Sequence, residues 1–116
     1  MSKKIALFAF NGDPMCFIHV LLNTLDLHER GNEVRLVIEG SATKLIEPMS
    51  EPDSPLYKLY SEVKSKQLVH CVCRACANKM GTTDSAVEQE LPICGDMAGH
   101  PSMGSYMDEG FEILIF

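Results

Sequence analysis

"KKIALFAFNGDP", residues 3–14, decides the fold. Two lysines lead into six apolar residues, and Asn-Gly-Asp then stops the run. A continuous apolar run of this kind reads as a strand buried on both faces, at the centre of a parallel sheet. Asp13 follows as a helix cap, with Pro14 at the first helical position, where a missing N–H costs little. The same run is too short for a signal peptide and lacks a small-x-small cleavage site, so the expected setting is cytoplasmic.

The pattern then repeats. "PMCFIHVLLNTLDLHER" (14–30) is an amphipathic helix ended by Gly31, and "NEVRLVIE" (32–39) a second strand. "GSATKLIEPM" (40–49) is a short helix stopped near Pro48, and "LYKLYSEVKSK" (56–66) another helix. "LVHCVC" (68–73) is a third strand and "RACANKM" (74–80) a helical segment closed by Gly81. "TTDSAVEQE" (82–90) is a helix with a capping box from Ser85 to Glu88. "LPICG" (91–95) is a fourth strand, "HPSMGSYMDEG" (100–110) a helix or turn, and "FEILIF" (111–116) a fifth strand. Alternating strands and helices predict one α/β domain over residues 1–116, with a mostly parallel five-stranded sheet between helices. "FEILIF" has only Glu112 to break its apolar character, so a neighbouring subunit is expected to help cover it.

The bulk composition excludes several classes. Sixteen acidic residues against ten basic ones give a charge of −6, with the lysines and arginines scattered. Nucleic acid and anionic membrane both require a basic patch, so neither is an expected partner. No apolar run approaches the ~18 residues of a membrane span. No phosphate-binding or dinucleotide glycine motif occurs.

In a parallel α/β sheet the ligand crevice lies beyond the carboxyl ends of the strands. Four loops reach that rim here, "NGDP", "EGSAT", "CRAC" and "CGDMAGHPS", and the polar and reactive residues gather in them. Asn11, Gly12 and Asp13 line it or simply make a turn and a cap. Glu39 ends the second strand and reads as a solvated carboxylate or a ligand for a polar group. His100 is a candidate base. "GDMAGHPSM" is rich in glycine and methionine, which suits a mobile rim or plain gap-filling.

Three of the five cysteines fall in the spacing C-x-C-x-x-C: Cys71, Cys73 and Cys76. An odd count crowded into one segment is a poor disulfide framework and favours reduced thiols. Zinc would take these thiolates with His70, Cys94 or His100. Structural zinc usually uses two short-spaced pairs and only one is present, so no metal is expected. On a strand Cys71 and Cys73 share a face and His70 points the other way. Cys73-Arg-Ala-Cys76 could be a redox pair, but it lacks the proline or glycine usual between such cysteines. A single nucleophilic or persulfide-bearing cysteine is the third choice. At the strand-to-helix junction, with Arg74 beside it, Cys73 is expected to be partly exposed with a lowered pKa. The order of reactivity is then Cys73, Cys76, and Cys71 and Cys16 last, the latter two as small core hydrophobes.

The succession "AFNGDP…HVLLNTLDLHERGNEVRLVIEG", "VCRACANKMG" and "LPICGDMAGHPSM" resembles the DsrE/DsrF-like, or YchN-like, sulfur-relay family along essentially the whole chain. The resemblance implies a three-layer α/β/α fold and a homo-oligomer, trimer or hexamer. It also implies a cysteine at the end of the third strand that carries sulfur as a persulfide, without a cofactor, between sulfur donor and acceptor proteins. That cysteine stands eight residues before a glycine that closes the next helical turn, as Cys73 does before Gly81. Cys76 has no counterpart in the motif. The alternative is a non-catalytic oligomeric protein whose rim holds a small ligand.

Overall fold

A computed structural model describes residues 2–116. Five strands form one parallel sheet in the order β4-β3-β2-β1-β5, with β1 Lys4–Ala9, β2 Glu33–Ile38, β3 Val69–Cys73, β4 Ile93–Cys94 and β5 Glu112–Ile115. The apolar run at the N-terminus is the middle of this sheet on one side, flanked by β2 and β5. Among the described residues six α-helices connect the strands: α1 Pro14–Glu29, α2 Ile46–Met49, α3 Tyr57–Ser65, α4 Arg74–Met80, α5 Thr83–Glu88 and α6 Met103–Asp108, with a 3-10 helix at Gly40–Leu45. Among the described residues no helix is long and apolar enough to cross a membrane.

Alternate residues of β1 and β2 feed two separate cores, as the two-residue period of a strand requires. Ile5, Leu7, Leu36, Ile38 and Val72 pack with Phe17, Leu21, Ile46, Tyr60 and Val63 from the helices of one face. Ala6, Phe8, Val37 and Cys71 pack on the other face against Tyr106 of α6 and Phe111. The layers are therefore unequal. Successive crossovers β1→β2→β3→β4 advance in one direction, and right-handed connection sends their helices to one face. The return from β4 to β5 reverses direction and delivers α6 to the opposite face. Strand β5 is an edge, with Leu114 and Ile115 exposed.

Local signals hold where the chain provides its own partners. Asp13 caps α1 through the Met15 N–H at 2.9 Å. The expected box from Ser85 to Glu88 does not form. Helix α5 already starts at Thr83 with Thr82 as its cap residue, so Ser85 lies inside the helix, where its hydroxyl accepts from the Gln89 side chain. His70 also departs from expectation. The β2–β3 register slips between Leu36 and Val37, so that Val69 and Cys71 oppose consecutive β2 residues. The extra residue puts His70 on the same face as Cys71, with its Nδ1 2.6 Å from the Tyr106 hydroxyl.

Candidate functional site

Strands β1 to β4 all end on one rim because the sheet is parallel. The register Val37↔Cys71 and Ile38↔Val72 continues one step past β2 and brings Glu39 beside Cys73. Glu39 is only 5% exposed, so the reading as a solvated strand-end carboxylate is corrected. Burial pushes its carboxyl up, while His100 and a hydrogen bond with the Cys73 thiol pull it down. Both partners sit close because β2 is an inner strand and the loop after β4 folds back over its end.

That loop carries His100. A tight turn joins Met97 to His100 by reciprocal backbone bonds of 2.8 and 3.0 Å, and both central residues, Ala98 and Gly99, have positive φ. A side chain at Gly99 would meet Ala75 Cβ at 3.2 Å, and the Gly99 carbonyl accepts from the Ala75 N–H at 2.9 Å. The turn is thereby clamped to the start of α4. It sets His100 Nδ1 at 3.1 Å from Cys73 Sγ and 3.7 Å from Cys76 Sγ. The Cys76 N–H approaches Cys73 Sγ at 3.4 Å. Thr43 holds the first turn of α4 by donating to the Cys76 carbonyl at 3.3 Å.

Cys73 is fully buried, which corrects the expectation of a partly exposed thiol with a lowered pKa. Loss of solvent and the neighbouring Cys76 and Glu39 raise it from an ordinary 9.0 to about 12, outweighing the Cys76 N–H. Arg74 does not supply the expected positive charge. Its guanidinium lies against Gly95, in a cavity shared with His70, Asp96, Tyr106 and Glu109. Asn11 and Asp13 are exposed and bonded within their own turn, the Asp13 N–H to Asn11 Oδ1 at 2.8 Å. Gly12 is buried where a side chain would strike the Ser41 carbonyl at 2.5 Å. From the first loop it is Phe10 that reaches the site. With Met97, Pro101 and Met103 it lines a cavity of about 400 Å³ that opens on Glu39 and His100. The glycine- and methionine-rich composition of residues 95–103 was the available signal for this wall.

Cys71 and Cys94 form a disulfide, with Cα atoms 5.7 Å apart. The expectation of five reduced thiols is corrected. It rested on cysteine spacing within one segment, whereas this pair joins residues 23 apart through the β3–β4 pairing. Three cysteines stay free: Cys16 exposed, Cys76 half-buried and Cys73 buried. The protein should therefore titrate three thiols with a chromogenic disulfide when unfolded without reductant, and five after denaturation and reduction. Burial also reverses the expected order of alkylation, to Cys16, then Cys76, then Cys73. Timed labelling with peptide mapping reads that order, and a fast Cys73 would contradict the buried geometry.

The raised groups imply a pH dependence. Cys73 moves from 9.0 to about 12, Tyr106 from 10.0 to about 12, and burial raises Tyr60 as well. Above the unfolded values the native state holds protons that the unfolded chain has released, so stability falls as pH rises. The melting temperature should decline as pH rises from 9.0 toward about 12. Cys73→Ser should lessen the first part of that decline.

The chain is thus a three-layer α/β protein with a thiol, imidazole and carboxylate gathered at the carboxyl rim of its sheet. It belongs to one family with the "Uncharacterized protein MJ0733" of Methanocaldococcus jannaschii, to which it is 30% identical over 97 residues, 84% of this chain and 77% of that protein. An uncharacterized protein of Archaeoglobus fulgidus is 54% identical over 43 residues, 37% of this chain and 70% of that protein. A second from the same organism is 40% identical over 37 residues, 32% of this chain and all of its own length. No protein-family profile matches the chain.

Proposed function

We propose that this chain is a DsrE-like carrier or transferase of sulfane sulfur, loaded as a persulfide on Cys73. The observation that carries the reading is the 3.1 Å separation of Cys73 Sγ and His100 Nδ1 beside the buried Glu39 carboxyl. A thiol held protonated by burial is a weak nucleophile and needs a base at the moment of reaction. His100 takes the Cys73 proton as a donor persulfide, R–S–SH, arrives. The Cys73 sulfur attacks the outer donor sulfur, the donor S–S bond breaks, and R–S⁻ leaves with the electron pair. His100 returns the proton to give R–SH. The sulfur changes carrier with no net oxidation, so no cofactor enters. Glu39 favours the imidazolium that forms between the two proton transfers.

The cavity walled by Phe10, Met97 and Met103 suits a donor with an apolar flank next to its sulfur. Cys76, also close to His100, can resolve the persulfide or receive it. The exposed Leu114 and Ile115 of edge strand β5 support a homo-oligomer, in line with the family resemblance.

The test is intact-mass spectrometry after incubation with a low-molecular-weight persulfide, followed by peptide mapping. One added sulfur atom on the Cys73 peptide is the expected result. Sulfur found on Cys16 alone would refute the reading.

A further inference from the structure

Glu39, Cys73, Cys76 and His100 bring two sulfurs, one imidazole nitrogen and one carboxylate oxygen within 4.8 Å of one another. They come from four places in the chain: just past β2, the end of β3, the first turn of α4, and the turn after β4. We propose that these four side chains form a tetrahedral site for a divalent cation of the zinc type. A zinc site with Zn–S near 2.3 Å and Zn–N near 2.0–2.1 Å needs sulfur and nitrogen about 3.6 Å apart. The two separations here are 3.1 and 3.7 Å, within about half an ångström of that spacing.

The donor set selects the ion. Two thiolates with one imidazole and one carboxylate suit zinc, whereas calcium and magnesium demand oxygen ligands. Glu39 supplies what the sequence concealed. The single C-x-x-C is completed not by a second cysteine pair but by a buried carboxylate and a histidine from separate rim loops. Cys71 is tied to Cys94 and stands outside the set. The surroundings already fix the ligands: the Ala75–Gly99 bond anchors the His100 turn, and Thr43 anchors the Cys76 backbone.

The proposal does not depend on the sulfur reading, but it bears on it. A cation bound by all four side chains occupies the Cys73 sulfur and leaves no open position. The loaded form cannot take up sulfur, so metal and persulfide compete for the same thiol.

The experiment titrates protein purified without chelator or added thiol with Zn²⁺ against a chromogenic competitor. Co²⁺ serves as the spectroscopic probe. One equivalent should bind, with the visible bands of tetrahedral Co²⁺ and a sulfur-to-cobalt charge-transfer band. Cys76→Ser, His100→Asn and the near-isosteric Glu39→Gln should each weaken Zn²⁺ binding at least about tenfold, and Cys16→Ser should not. Circular dichroism checks that each variant is folded. The absence of stoichiometric binding would overturn the site, as would Cys16→Ser weakening binding as much as the others. Sulfur uptake is measured in parallel on chelator-treated protein. Uptake without zinc binding removes the metal site and keeps the carrier, and zinc binding without uptake does the reverse.

Discussion

Cys73→Ser should abolish sulfur loading, and His100→Asn should slow it by ~10²–10⁴-fold while leaving its final extent unchanged. The two losses differ because the residues do different things. Serine at position 73 removes the atom to which the incoming sulfur bonds, so nothing accumulates at any time. Asparagine at position 100 removes only the proton acceptor. The remaining thiol is still buried, and without a base it relies on its own ionisation, which burial and the Glu39 carboxyl both oppose. The rate should then rise with pH in the His100→Asn protein more steeply than in the wild type, because hydroxide replaces the imidazole as the base. Stopped incubations read by intact mass give both rate and extent. An uptake rate within twofold or so of wild type in His100→Asn would remove the base from the mechanism, since general-base loss is worth orders of magnitude.

Much of this arrangement is legible in the residues. The unbroken apolar run at 5–10 announces a central strand, and the alternation that follows fixes a parallel sheet with its reactive loops on one rim. From there Cys73 and His100 fall near one another for topological reasons alone. The pKa of Cys73 was not legible. Position 73 looks like a helix start beside an arginine, but α4 has only seven residues, and Arg74 turns toward Gly95. Whether solvent reaches the sulfur is decided by residues 97–100 folding over it, a contact spanning more than twenty positions. Glu39 was misread for the same reason. A glutamate followed by glycine at a strand end looks solvated until the strand order places β2 between β1 and β3. The face of His70 depends on a single extra residue in a ladder, and a two-residue period read along one strand cannot register it. The Cys71–Cys94 pair likewise exists only once β4 lies beside β3.

The second large effect concerns stability. Phe8→Ala should cost ~3–5 kcal/mol, toward the upper end of that range. Phe8 is fully buried on the face that α6 and Phe111 cover, and its ring meets Tyr106 edge-on with centroids 5.3 Å apart. Removing the ring leaves a cavity, and what matters is whether neighbours can close it. Strand β1 is held on both sides, by β2 and by β5, so it cannot move outward. Helix α6 is pinned by its Ser102 cap and by the 2.6 Å contact of Tyr106 with His70. Neither wall can collapse freely, so most of the cavity should persist. Against a total of ~5–15 kcal/mol for a domain of this size, the loss is about a fifth or more. Ile115→Ala provides the contrast, since Ile115 pairs with Phe8 in the adjacent strand but is 64% exposed. In a lone chain it should shift stability by no more than ~0.5 kcal/mol. If a second copy covers β5, the Ile115 effect grows and becomes dependent on protein concentration, because association stabilises only the folded form. Urea melts of both variants at two protein concentrations separate these cases. A Phe8→Ala loss below ~1 kcal/mol would mean that the α6 face is not a packed core.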